Sequence, residues 1–336
     1  MKNVIFGTTG LRVSEMCLGT MAFGTSWGFG ASRSDSENIV HAFLDSGGNF
    51  IDTANVYTDG EAEEIVGDVV KTIRNRVILS TKYSLCTDNT NPNSLGNHRR
   101  NLVVSVEDSL KRLKTDFIDL LWVHAWYFEN NTEDVVRALD DLVRSGKIVY
   151  WGLSDTPAWV TSEANAISKI RGWSPLSAIQ FEYSLIERTA ERELIPLADH
   201  YNIAKLGWAP LAGGILSGKH HIAPPENVDS LRKDRAAGRK TDRNDKIVSA
   251  LISLSKQVGI TPSQLALKWV MNNRNSFVPI VGARTLEQLN DNLSTISVDV
   301  DQSILDQLTK ISEIEMGFPF DFLNGARTKQ VMYASF

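Results

Sequence analysis

Short apolar runs rich in β-branched residues alternate with amphipathic stretches of helical period along almost the whole chain, and nothing else in the sequence constrains the fold as strongly. The runs that read as strands are MCLGT (16–20), NFIDT (49–53), VILSTK (77–82), FIDLLWVH (117–124), IVYWGLS (148–154), SAIQFE (177–182), IAKLGWA (203–209) and FVPIVG (277–282). Between them lie helical patterns such as SENIVHAFLDSG, NLVVSVEDSLKRL, TEDVVRALDDLVRSG and TLEQLNDNLSTI. Strict alternation implies a parallel sheet with helices on its faces. Eight such units favour a closed (β/α)8 TIM barrel of the α/β class over an open doubly wound sheet. An N-terminal β-hairpin, VIFGTTGLRVS, turns at Thr9-Gly10 and is expected to cover the barrel's bottom. No linker or composition shift marks a boundary, so residues 1–336 are expected to form one domain. The polar, basic stretch from His220 to Asn244 is expected to be a long loop inserted after the seventh strand.

Composition removes several classes of function. A net charge of −5 argues against nucleic acid or an anionic membrane as the main partner. No apolar run approaches the roughly 18 residues that a membrane span needs. The opening residues have no apolar signal core, which points to a cytoplasmic protein. The two cysteines, Cys17 and Cys86, have neither metal-ligand spacing nor a disulfide framework around them.

Chemistry in such a barrel sits at the carboxyl ends of the strands. Along that edge the second strand ends at Asp52, the third at Lys82 and the fourth at His124, and Tyr57 lies in the loop after the second. Each alone has an ordinary reading: a helix cap, a solvated lysine, a structural histidine. Together, on adjacent strands, they form a proton-delivery device aimed at an oxygen. A free tyrosine titrates near pH 10, too high for efficient proton exchange at neutral pH. A neighbouring ammonium is expected to pull the phenol's pKa down, and Asp52 to keep Lys82 charged. His124 is left to orient the substrate oxygen or share the proton.

The segments GGNFIDTANVYTDGEAEEIVG, VILSTK, DLLWVHAW, GLSDTPAW, IQFEYSL and VGARTLEQLNDN resemble the aldo-keto reductase family, in matching order over nearly the entire chain. The match is closer to the bacterial branch, with a long loop after strand seven, than to the vertebrate reductases. The resemblance implies a catalytic tetrad of Asp52, Tyr57, Lys82 and His124. It also implies NADP(H) bound in extended form at the barrel mouth, and reduction of an aldehyde or ketone, or the reverse reaction.

No strand is followed by G-x-G-x-x-G, so an open dinucleotide fold is not expected. The stretch from Gly213 to Lys219 satisfies G-x-x-x-x-G-K, but His220 stands where a P-loop needs Ser or Thr. Its glycines suit backbone amides approaching a pyrophosphate. By resemblance, Trp208, Ala209, Pro210 and Leu211 meet the nicotinamide end, with the Trp208 indole stacked on the ring. Gly213, Gly214, Leu216, Gly218 and Lys219 follow the pyrophosphate, and Gly19, Thr20 and Met21 line the cofactor at the first strand's end. Arg232 in the basic insert is a further cofactor candidate. Ser154, Asp155 and Gln180 match the residues that hold the carboxamide. Asp155 stands where Asn is commoner; when ionised it accepts a hydrogen bond but cannot donate one. Gly282, Arg284, Gln288 and Asn292 are placed at the adenosine 2′-phosphate, with Arg284 at a helix N-terminus.

Trp27, Phe29 and Trp126, beside Tyr57 and His124, make an aromatic rim that suits an apolar or aromatic carbonyl compound or a stacked sugar. The expected partner is a small-molecule carbonyl or alcohol, and a homo-oligomer is compatible with the sequence. Rival readings are another barrel enzyme using Lys82 for a Schiff base, a non-catalytic cofactor-sensing subunit, and a P-loop ATPase.

Overall fold

Strands covered on both faces read as largely apolar runs. In a computed structural model, which describes residues 1–219, 239–272 and 277–333, they close into a barrel. The order is β10 (Phe277–Gly282), β3 (Cys17–Gly19), β4 (Phe50–Asp52), β5 (Ile78–Tyr83), β6 (Ile118–Val123), β7 (Ile148–Ser154), β8 (Ala178–Glu182) and β9 (Ala204–Trp208). All eight neighbouring pairs are parallel. The expected (β/α)8 barrel is therefore the observed one.

Side-chain period two sorts each strand. Cys17, Phe50, Leu120, Ala178, Leu206 and Ile280 pack together as one buried cluster inside the barrel. Ile51, Leu79, Leu121, Leu153 and Ile179 belong to a second, larger cluster formed with the helices. Below the interior cluster, β1 (Asn3–Ile5) pairs antiparallel with β2 (Arg12–Ser14). Phe6 and Val13 of this hairpin are buried in the interior cluster, and the Phe6 and Phe50 rings meet edge to face at 5.6 Å. The hairpin plugs the bottom with Phe6 and Val13.

Helices α1 (Arg33–Asp45), α2 (Glu61–Val70), α3 (Arg99–Leu113), α4 (Thr132–Arg144), α5 (Ala158–Arg171) and α6 (Leu194–Tyr201) follow successive strands. Side-chain caps open several of them: Ser32 accepts from the Asp35 amide and Asn131 from that of Glu133.

The segment after β9 departs from expectation at its end. A 17-residue helix, α7 (Asp242–Val258), begins where the loop was expected to run on to Asn244. Thr241 caps it by accepting from the Asn244 amide, and Ile247, Val248, Leu251 and Ser255 form its buried stripe. The short polar opening had hidden that stripe. Residues 220–238, Arg232 among them, lie outside the described residues. Then come α8 (Pro262–Asn272), α9 (Leu286–Ser294), α10 (Gln302–Ile311), α11 (Phe320–Asn324) and α12 (Ala326–Tyr333). Among the described residues no helix is long and apolar enough to cross a membrane.

Candidate active site

The strand ends bring Asp52, Tyr57, Lys82 and His124 to one point. Lys82 is fully buried, and its Nζ donates to Asp52 Oδ2, to the Thr53 carbonyl at 2.8 Å and to the Tyr57 hydroxyl at 3.1 Å. An ammonium has three hydrogens, and all three are used. Asp52 Oδ1 accepts from Ser80 Oγ at 2.6 Å, Trp122 Nε1 at 3.0 Å and Gln180 Nε2 at 3.4 Å. The Tyr57 and His124 rings meet edge to face at 5.8 Å.

Ser80 and Trp122 were not among the candidate residues, although alternation could have found them. Ser80 lies two residues before Lys82, and Trp122 two before His124, so each shares its partner's face. Gly152 makes room for the indole, because a Cβ there would come within 2.4 Å of the Trp122 ring.

Charge and burial set the protonation states. Burial works against the Lys82 ammonium, but Asp52 and Tyr57 outweigh it and hold the group charged, well above the usual lysine range. A lysine so paired is a poor nucleophile, which counts against a Schiff-base role. Burial, helped by the Lys82 charge, lowers His124 well below its ordinary value and leaves a neutral imidazole. Its Nδ1 is buried with no partner among the described residues. The phenol corrects an expectation. Lys82 does pull the Tyr57 pKa down, yet desolvation is the larger effect and the net displacement is upward. Tyr57 therefore keeps its proton at neutral pH.

The backbone is strained around this point. Eight non-glycine residues have positive φ among the described residues, and two of them, Lys114 and Asn202, end helices. The other six are Thr58, Asp59, Ser84, Asp155, Ala209 and Ala212, all in loops leaving the carboxyl ends of the strands. Such conformations cost about 1–3 kcal/mol each and persist where neighbours enforce them. Thr58 shows how: its hydroxyl donates to the Phe23 carbonyl at 2.7 Å and accepts from the Ala62 amide at 3.1 Å. That lock fixes the turn directly after Tyr57.

A protonated phenol on a buried ammonium, with a neutral imidazole beside it and strained loops around it, suits proton transfer to an oxygen. The model of the aldo/keto reductase family matches residues 15–313. The chain belongs to the aldo-keto reductase family. It is 32% identical over 330 residues to a norsolorinic acid reductase of Aspergillus flavus, covering 95% of this chain and 83% of the relative. It is 30% identical over 322 residues to an aryl-alcohol dehydrogenase of Pestalotiopsis microspora, covering 93% and 82%. An aldo-keto reductase of Aspergillus calidoustus is 29% identical over 339 residues, covering 95% and 84%. The chain is accordingly an oxidoreductase of carbonyl compounds.

The remaining candidates among the described residues lie at the carboxyl ends of the strands or in the segments that follow them. Gly19 ends β3 opposite Gly282 and Asp52. Buried Thr20 bonds the Asp52 carbonyl through its amide (3.0 Å) and hydroxyl (3.2 Å), and Met21 is exposed. Ser154 Oγ at the end of β7 is buried without a partner among the described residues. Trp208 Nε1 donates to Asp155 Oδ1 at 2.9 Å. Ala209 and Leu211 are half-buried and Pro210 is buried. Leu216 is a core side chain, and Gly218 packs under Ile252, so these two shape the loop from beneath. Gly213 and Lys219 are exposed, Gly214 half-buried. At β10, Asn292 Nδ2 reaches the Gly282 carbonyl at 3.4 Å, and Gln288 Oε1 accepts from the Arg284 amide at 2.9 Å. Arg284 has no ion pair among the described residues. Trp27 and Phe29 pair at 5.9 Å, with Trp27 Nε1 on Asp59 Oδ1 at 3.3 Å, and Trp126 is buried against the helical core. An unsatisfied serine hydroxyl, an open glycine at 213 and an unpaired arginine beside a helix N-terminus all fit a phosphate-bearing dinucleotide.

Proposed function

We propose that this reductase interconverts an aldehyde or ketone and its alcohol with NADP(H), with Tyr57 as the general acid in reduction and the base in oxidation. What carries the reading is the Tyr57 hydroxyl held 3.1 Å from a Lys82 ammonium that Asp52 keeps in place. When bound, the nicotinamide supplies or accepts the hydride. Tyr57 starts protonated and can donate to the carbonyl oxygen. The phenolate left behind is then stabilised by the ammonium it already touches. Neutral His124, in edge contact with the phenol ring, can hydrogen-bond the same oxygen and fix its direction. Ser154, Asp155 and Gln180 would hold the carboxamide, Gly213 and Gly214 the pyrophosphate, and Arg284 the 2′-phosphate.

The substrate class we assign is an aromatic carbonyl or alcohol. The Trp27–Phe29 pair at the rim supports it, as do relatives named for norsolorinic acid and aryl alcohols. We assign the enzyme to the cytoplasm. The test is titration of the protein with NADPH and NADH, followed by turnover of aromatic aldehydes. Losing a charge-assisted hydrogen bond costs about 1.5–3 kcal/mol. Arg284→Ala should therefore weaken NADPH more than about ten-fold and NADH little. Equal weakening of both cofactors would contradict the phosphate assignment.

A further inference from the structure

The acidic groups at the mouth are not equivalent: Asp52 is buried, Glu182 half-buried and Asp155 exposed. Asp52 is neutralised by Lys82, and Glu182 by Arg239. Asp155, held at φ 41° just past β7, forms no ion pair among the described residues. Its one hydrogen-bond donor there is the neutral indole N–H of Trp208, at 2.9 Å. An asparagine oxygen would accept that same bond, so holding the indole does not require a carboxylate. What the carboxylate adds is charge. The surrounding protein disfavours its charged form and pushes its pKa up from the ordinary value, with the Trp208 bond and Lys82 opposing.

The charge lies at the carboxyl edge of the barrel. Asp155 directly follows Ser154, the last residue of β7, and so stands at the same strand-end edge as Lys82 and Tyr57. A substrate carbonyl on the Tyr57 hydroxyl must have the hydride donor within contact of its carbon. The nicotinamide ring is then confined to the same mouth as Asp155. Oxidised and reduced rings differ by one positive charge.

Resting on the cofactor assignment above, we infer that Asp155 is a fixed negative charge selecting the oxidised, cationic nicotinamide. It makes NADP⁺ the relatively tighter-bound form and bound NADPH a stronger hydride donor.

Binding constants for NADP⁺ and NADPH, measured by calorimetry on the whole protein, test this. Asn tolerates positive φ well, so Asp155→Asn keeps the fold and the indole bond while removing the charge. Its ratio Kd(NADP⁺)/Kd(NADPH) should rise about ten-fold or more, equivalent to 1.4 kcal/mol. Trp208→Phe, which keeps the charge, should leave that ratio within about three-fold even if both forms bind more weakly. An unchanged ratio in Asp155→Asn with both cofactors still bound overturns this inference alone. So does an equal rise in Trp208→Phe. Failure of the unaltered protein to bind either form overturns the cofactor assignment, and this inference with it.

Discussion

Two of the buried ion pairs around the barrel differ in what they are for. At the amino end of the strands, Arg74 meets Asp119 Oδ2 at 2.7 Å. The guanidinium also donates to Thr115 Oγ1, the Val77 carbonyl and the Phe117 carbonyl, each at 2.9 Å, and stacks 4.1 Å over the Phe117 ring. Asp119 Oδ2 takes the Leu79 amide as well. Every one of these contacts ties scaffold to scaffold. At the carboxyl end, Lys82 gives two hydrogens to the scaffold and the third to the Tyr57 hydroxyl. A buried ion pair is weak evidence of function, since structural pairs are buried as well. The informative feature is a donor left pointing at a group that can change protonation state.

The comparison breaks most visibly at the phenol. Positioned acid catalysis contributes about 10²–10⁴-fold. Tyr57→Phe should therefore slow reduction of an aromatic aldehyde by at least about 10²-fold and move the NADPH dissociation constant less than about three-fold. Near-normal turnover would remove the open pair's purpose. Next come the two cations. Arg74→Met and Lys82→Met each strand a carboxylate, and each should cost about 3–5 kcal/mol in urea denaturation. Only Lys82→Met should also slow the chemistry and alter the pH profile. Reduction needs protonated Tyr57, and Lys82 pulls that pKa down against desolvation. Without Lys82 the phenol's pKa rises further and the alkaline limb moves to higher pH. A moved limb in Arg74→Met would erase the distinction. His124 is held well below its ordinary 6.5, so the unaltered protein should show no inflection near that pH.

How much of this was legible depended on distance along the chain. The barrel was, because alternating strands and helices announce it locally. The Asp52, Tyr57, Lys82 and His124 constellation was too, because strand ends in a barrel face one mouth. The sign of the Tyr57 shift was not: neighbours can be counted from a sequence, but desolvation depends on packing from every strand. The Arg74–Asp119 pair spans 45 residues, and neither side chain sits at a functional edge. Ser80 and Trp122 were within reach of the alternation rule. They went unmarked because serine and tryptophan read as ordinary barrel residues until an acceptor between them is known. Helix α7 was overlooked because its polar first turn continues the composition of the segment before it.

The smallest expected effect separates holding the open pair from using it. Trp122 Nε1 donates to Asp52 Oδ1 at 3.0 Å, and nothing about the indole touches Tyr57 or Lys82 through a hydrogen bond. Trp122→Phe removes this one donor and keeps an aromatic ring in the space that Gly152 leaves open. A hydrogen bond to a charged group is worth about 1.5–3 kcal/mol, so denaturation should show a loss of that order. Asp52 still has Ser80 Oγ at 2.6 Å on the same oxygen and Lys82 on the other. The carboxylate therefore stays oriented, and the rate should fall about ten-fold at most, with the alkaline limb in place. A loss approaching that of Tyr57→Phe would mean that the indole sets the direction of the whole relay. Proton delivery would then begin at the barrel's interior packing, one residue below the end of β6.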